Sequence, residues 1–162
     1  MDKFLCALGV FDGETQKRLA EYQGAILARG FTGRQTMGIP FHVTLGTFST
    51  DRREKLEEKL RELSMGPVEL FFNHMGLFEG QEVLFLAPDV NRELLALKEH
   101  FGEEPGWTAH TTMLIDQREN ALIGMEVLGE RFQRFTGRLE RAELWEFFPP
   151  DKLGERLLIK GR

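Results

Sequence analysis

Two short segments constrain this chain more than anything else in it: His42-Val43-Thr44-Leu45 and His110-Thr111-Thr112-Met113. Each is a His-x-Thr followed by an apolar residue, in a stretch that reads as a β-strand. Strand side chains alternate faces, so residues i and i+2 point the same way. His42 and Thr44 therefore share one face, and Phe41, Val43 and Leu45 share the other. The second copy sets His110 and Thr112 against Ala109, Thr111 and Met113. A lone strand histidine is usually a satisfied structural residue. Two of the four histidines in one repeated pattern are what a symmetric phosphate site would need.

The segments around the motifs repeat as well. Residues 3–11 read as a strand, and Asp12 as the cap of a helix over 13–29 with Leu19, Tyr22, Ile26 and Leu27 on or near one face. A Gly-rich loop over 30–40 leads into the first motif. Asp51-Arg52-Arg53-Glu54 then resembles a capping box, and Leu56, Leu60 and Leu63 follow at helical spacing until Met65-Gly66-Pro67. Strands are expected near 67–75 and 82–87. The second half has a helix over 91–101, a Gly/Pro loop over 102–106, the second motif, and Asp116-Gln117-Arg118-Glu119 as the matching helix start. Strands near 137–147 and 155–160 close the chain. The order strand, helix, His-x-Thr strand, helix, strand thus occurs twice. Two copies are too few for a solenoid and suit a pseudo-twofold α+β unit with a cleft between its halves.

The length of 162 residues fits one domain, or two small lobes packed closely together. A net charge of −5 argues against a general nucleic-acid coating protein but allows a local phosphate pocket. The apolar run Phe4–Phe11 is too short to span a membrane and lacks a signal-cleavage context. It reads as a buried first strand. Cys6, the single cysteine, allows no intrachain disulfide and no multi-Cys metal site, and reads as a small buried hydrophobe. A cytoplasmic location is the default expectation.

The chemistry follows from the residue types. In-line displacement at a phosphodiester needs a proton taken from the nucleophile and one given to the leaving oxygen. Two imidazoles can do both near neutral pH. Two Thr hydroxyls can donate to the non-bridging oxygens. No carboxylate accompanies either motif on its polar face, which makes a poor metal set. Arg34, in the loop before the first motif, is either a phosphate contact or a solvated loop residue. Trp107 either stacks on a base or packs at the loop–strand junction. His74 and His100 read as structural, and Phe48 and Trp145 as core or rim packing.

This pattern resembles the 2H phosphoesterase superfamily, also called the 2′-5′ RNA ligase-like or LigT-like family. His42/Thr44 and His110/Thr112 carry the resemblance. The duplicated layout, the size and the strand Glu143-Leu144-Trp145-Glu146-Phe147 support it, and it covers nearly the whole chain. It implies a single bilobal domain over 1–162, each lobe a mainly antiparallel sheet with helices outside, and a central cleft carrying both motifs. It also implies a phosphodiesterase that uses no metal and no cofactor. Typical family substrates are RNA ends with 2′,3′-cyclic phosphate, 2′-5′ linkages, or small nucleotide-derived cyclic phosphates. It points to His110 as base and His42 as acid, with Thr44 and Thr112 on the phosphate. Competing readings are an enzyme for a non-RNA cyclic phosphate, and a nucleotide- or RNA-end-binding module without turnover. The chain is similar to short bacterial members. It departs from the RNA-processing branch where Gly46-Thr47-Phe48 follows the first motif and Leu114-Ile115-Asp116 the second. No membrane attachment or obligate protein partner is evident.

Overall fold

The first strand, β1 (Phe4–Phe11), is apolar at nearly every position because both its faces are buried. Leu5, Ala7 and Phe11 enter the main core. Cys6, Leu8 and Val10 form a smaller cluster on the opposite face with Trp145 and Phe147. These features come from a computed structural model, which describes residues 2–33, 36 and 38–161.

The remaining elements follow the duplicated order: α1 (Gly13–Leu27), β2 (His42–Ser49), α2 (Arg53–Glu62), β3 (Val68–Leu77), then β4 (Val83–Pro88), α3 (Arg92–Phe101), β5 (Thr111–Ile115), α4 (Arg118–Arg131), β6 (Phe135–Phe147) and a last strand β7 (Asp151–Leu157). All strand pairs are antiparallel, in the order β2-β1-β6-β3-β4-β5, with β7 also on β6. The third strand of each half therefore crosses over. β3 leaves the first half to pair with β4, and β6 leaves the second half to pair with β1. The two crossed strands meet along Val68–Phe72 and Phe135–Leu139. This exchange joins the lobes through backbone hydrogen bonds as well as side-chain packing.

The helices lie against the main core. Asp12 caps α1 as expected, accepting from the Thr15 N–H at 3.0 Å. Leu19 and Ile26 are fully buried, two turns apart on one face. Asn91 caps α3 in the same way, accepting from the Leu94 N–H at 2.9 Å.

The two expected capping boxes need correction. A 3-10 turn (Thr50–Arg52) precedes α2, and the Asp51 carboxylate is engaged by the Ser49 hydroxyl, so Arg52 takes the cap position without a side-chain bond. At α4 the cap position falls to Gln117, while Asp116 accepts from the Gln117 N–H and the Asn120 amide. Both aspartates mark helix starts, one residue too early to cap them. The last strand also begins earlier than its apolar residues suggest. Pairing with β6 extends it back to Asp151, and backbone bonds to a long neighbour outweigh its weak strand propensity. No helix among the described residues is long and apolar enough to cross a membrane.

Candidate active site

The two His-x-Thr strands lie at opposite ends of the strand order, yet Cα atoms of β2 and β5 come within 8 Å of each other. The sheet curls until its two edges face across a cleft. Alternation acts as expected in both strands. Val43, Leu45, Ala109, Thr111 and Met113 are buried on the core side, while His42, Thr44, His110 and Thr112 are partly exposed on the other.

The histidines are held in the same manner. His42 Nδ1 lies 2.7 Å from the Pro40 carbonyl oxygen, and His110 Nδ1 lies 2.9 Å from that of Thr108. A carbonyl oxygen can only accept, so each Nδ1 carries the proton and donates it. Nε2 is then left to take or give a proton. Each ring is oriented by its own chain two residues upstream.

An edge strand leaves backbone groups unpaired, and here side chains take them up. Gln16 of α1 grips the residue before His42 from both sides. Its Nε2 donates to the Phe41 carbonyl at 2.8 Å, and its Oε1 accepts from the Phe41 N–H at 2.9 Å. Gln23, two turns along the same helix face, donates to the Met113 carbonyl of β5 at 3.0 Å. One helix thus holds both motif strands. Trp107 donates its indole N–H to the Thr44 carbonyl at 2.9 Å, tying the second half to β2. Lys98, almost fully buried, lies 5.6 Å from the Trp107 ring centre and donates to the Gly102 and Glu104 carbonyls.

Two cavities adjoin at Thr44, which lines both. A chamber of about 380 Å³ is lined by His42, Thr44 and Thr112 together with Phe4, Leu8, Ile39, Phe147 and Phe148. A smaller cavity of about 270 Å³ holds His110, Thr44, Thr47, Phe78, Glu104 and Trp107. His110 is packed edge-on by Phe78 and Phe85, with ring centres 4.7 and 5.5 Å away.

Burial pushes both imidazoles below the ordinary histidine range. For His42 it outweighs the upward pull of the Pro40 carbonyl, the positive charge of His110 pushes the same way, and the Glu143 carboxylate opposes it. For His110 burial likewise outweighs the Thr108 carbonyl. Glu143 is itself buried, two strands from Thr44 in the row Thr44–Leu8–Glu143. Burial pushes its carboxyl up. Hydrogen bonds from Arg141 and Trp145 and the charges of Arg141 and Lys152 outweigh that and hold it below the usual carboxylate value.

Of the candidate residues, His42, Thr44 and Thr112 line one cavity and His110 the next, with Thr44 between them. Trp107 packs partly against the core and gives its N–H to Thr44, but its ring also borders the His110 cavity. Arg34 lies outside the described residues. His100 bonds the Lys59 carbonyl at 2.6 Å, joining α3 to α2. Trp145 stacks on Phe147, and Phe48 lies in the main core. His74 is exposed, placed on the cleft side by a bulge in β3. Gln16, Gln23 and Glu143 emerge only from the structure. For Glu143 a signal existed, since it alternates with Trp145 and Phe147 along β6. Among the described residues no three His, Cys, Asp or Glu side chains converge as a metal set.

The antiparallel sheet of seven strands with its four helices has the LigT-like α+β fold. The structure of E. coli LigT superposes with a TM-score of 0.64 at 14% identity, covering 98% of each chain. LigT complexed with 3′-AMP gives 0.65 at 14% identity, covering 98% of this chain and 99% of that one. TT0787 of Thermus thermophilus gives 0.63 at 19% identity, covering 98% of this chain and 100% of that one. No protein-family model and no curated protein sequence matches the chain.

Proposed function

We propose that this chain is a 2H phosphoesterase, a metal-independent phosphodiesterase that hydrolyses a 2′,3′-cyclic phosphate or a 2′-5′ phosphodiester of an RNA end or small nucleotide. The observation that carries it is the duplicated histidine: on facing strands, each Nδ1–H donates to the carbonyl two residues upstream. That bond fixes the tautomer that acid–base work at Nε2 requires. The fold shared with LigT supports the same reading.

Water opens a 2′,3′-cyclic phosphate between the two imidazoles. Neutral His110 takes a proton from water as its oxygen attacks phosphorus. The bond from phosphorus to the 3′ oxygen breaks, and protonated His42 gives that oxygen its proton. A 2′-phosphomonoester remains. The Thr44 and Thr112 hydroxyls donate to the non-bridging oxygens, where charge accumulates. The cavities favour these roles. The small one at His110 suits water, and the large one at His42 suits an organic leaving group.

The test is hydrolysis of nucleoside 2′,3′-cyclic phosphates and of a short RNA with a cyclic end, in EDTA. His42→Ala and His110→Ala should each lower kcat by about 10²–10⁴-fold. Full activity in the double variant would sink the site assignment. Loss in EDTA, restored by zinc or manganese, would overturn the metal-free mechanism. Binding without turnover would leave a binding module.

A further inference from the structure

We propose that Lys98 is a positioning residue of the site: it holds the loop 102–107 so that Trp107 fastens the second half of the chain to Thr44 and the Thr108 carbonyl stands where His110 needs it. This rests on the phosphodiesterase reading and adds to it a residue outside both motifs.

A buried ammonium that ends on loop backbone carries the inference. Lys98 lies in the last turn of α3 and is only 4% exposed. Lysine is almost never buried so far, because its charge loses water that the interior must replace. Here the loop replaces it. Lys98 Nζ donates to the Gly102 carbonyl at 3.4 Å and to the Glu104 carbonyl at 3.2 Å, and lies 5.6 Å from the centre of the Trp107 ring. Stability alone does not call for such a group, since a well-packed apolar side chain often serves as well or better. What the charge adds is direction: it draws two carbonyls and one ring face to a single point.

The loop needs such an anchor. Residues 102–110 lie between α3 and β5, outside any helix or strand. Gly102 is seated against Phe48 of β2, where an added Cβ would stand 3.2 Å from the ring. Beyond Glu104 the chain reaches Trp107, whose indole N–H donates to the Thr44 carbonyl at 2.9 Å. One residue further, the Thr108 carbonyl accepts from His110 Nδ1 at 2.9 Å. A single line of contacts thus runs from α3 to the threonine of one motif and the histidine of the other. Glu104, Pro105 and Trp107 line the His110 cavity on one side and a second cavity, beside Lys98, on the other. The wall next to the attacking water is therefore one loop thick, and slack in it moves His110 relative to Thr44.

Three variants test it. Lys98→Met keeps most of the side chain's length and removes the charge, Lys98→Arg keeps donors, and Trp107→Phe keeps a ring and removes the indole N–H. Hydrolysis of adenosine 2′,3′-cyclic phosphate is measured for each, with solvent exchange of the Trp107 indole N–H followed by NMR where it is present. Lys98→Met should lower kcat by about 10–100-fold, the cost of a misplacement near 1 Å, and change KM by less than about threefold. Its indole exchange should quicken by at least about tenfold. Lys98→Arg should restore most of kcat. Trp107→Phe should lower kcat to a similar degree without touching the buried charge. The double variant Lys98→Met, Trp107→Phe should lose no more than the worse single one, because both act along one line.

Unchanged kcat in Lys98→Met with the indole freed would make Lys98 purely structural and overturn the proposal. A raised KM with kcat intact would also overturn it, by making Lys98 a binding residue. A lowered kcat with the indole still protected, or losses that multiply in the double variant, would overturn the route through Trp107. If Lys98→Met does not fold, Trp107→Phe decides, and full kcat there overturns the proposal. Absence of turnover in the wild type, with the indole freed in Lys98→Met, would overturn the hydrolytic reading while supporting Lys98 as the loop's anchor.

Discussion

The two halves present the same motif on the same backbone and surround it differently. In the lobe of the first motif the cleft-side row runs Thr44–Leu8–Glu143, its last residue on the crossed strand β6. In the second the matching row is Thr112–Phe85–Gly76. The Phe85 ring lies over Gly76, where an added Cβ would meet it at 2.7 Å. It also packs against His110. The ring therefore fills space that stays open beside the smaller Leu8, and the second lobe has no carboxylate where the first has Glu143. Duplication set the positions of the two imidazoles, and the residues one and two strands away made their surroundings unlike. In the proposed reaction these unlike surroundings bias which imidazole acts as acid and which as base.

Outside the two histidines, the largest expected effect lies where the cavities join. Thr44 lines both and Thr112 only the chamber. Thr44→Val should lower kcat by about 10²–10³-fold, with Thr112→Val milder. Steady-state kinetics on a nucleoside cyclic phosphate would show it, and equal losses would mean the phosphate sits symmetrically between them.

Next comes the helix that holds both strands. Gln16→Ala frees the backbone before His42, and Gln23→Ala frees that beside Thr112. Each should lower kcat by about tenfold, because small misplacements are costly in catalysis. Each should also cost roughly 1 kcal/mol of stability, read by urea denaturation. A stability loss with unchanged kcat would make the two glutamines purely structural.

The pH profile sharpens the comparison further. Burial holds both histidines below their ordinary range, so the optimum of kcat/KM should fall on the acid side of ordinary imidazole titration. Glu143 pulls only His42 upward. In Glu143→Gln the His42 limb should move to lower pH while the His110 limb stays, as NMR titration of the two rings would show. Equal movement of both would remove Glu143 from the site's electrostatics. The same depression bears on stability. Between the folded pKa values and the unfolded value near 6.5, the unfolded chain binds more protons, so stability should rise with pH through that window.

The smallest effect concerns the residue between each His and Thr. Val43 and Thr111 are both fully buried, but the Thr111 hydroxyl finds no hydrogen-bond partner among the described residues. Thr111→Val, which makes the second motif match the first, should stabilise the fold by about 1 kcal/mol and leave kcat unchanged. Destabilisation in thermal melts would mean the hydroxyl has a partner, such as a buried water.

The sequence by itself determined what local rules govern. Period-2 alternation placed His and Thr on one face of each strand, and helical spacing with turn residues gave the duplicated order. These signals lie within one element, so they survive without knowledge of the rest of the chain. Only the tertiary structure decided what depends on distant segments meeting. The exchange of β3 and β6 between lobes is one such feature, since any of several strand pairings satisfies the same alternation. The Gln16 and Gln23 clamps are another, because a glutamine on a helix face carries no mark of the carbonyl it will reach. The apolar chamber is a third. Phe4 and Leu8 belong to a run that reads as a buried strand, and whether apolar side chains enclose a core or line a cavity depends on how much of the space between them is filled.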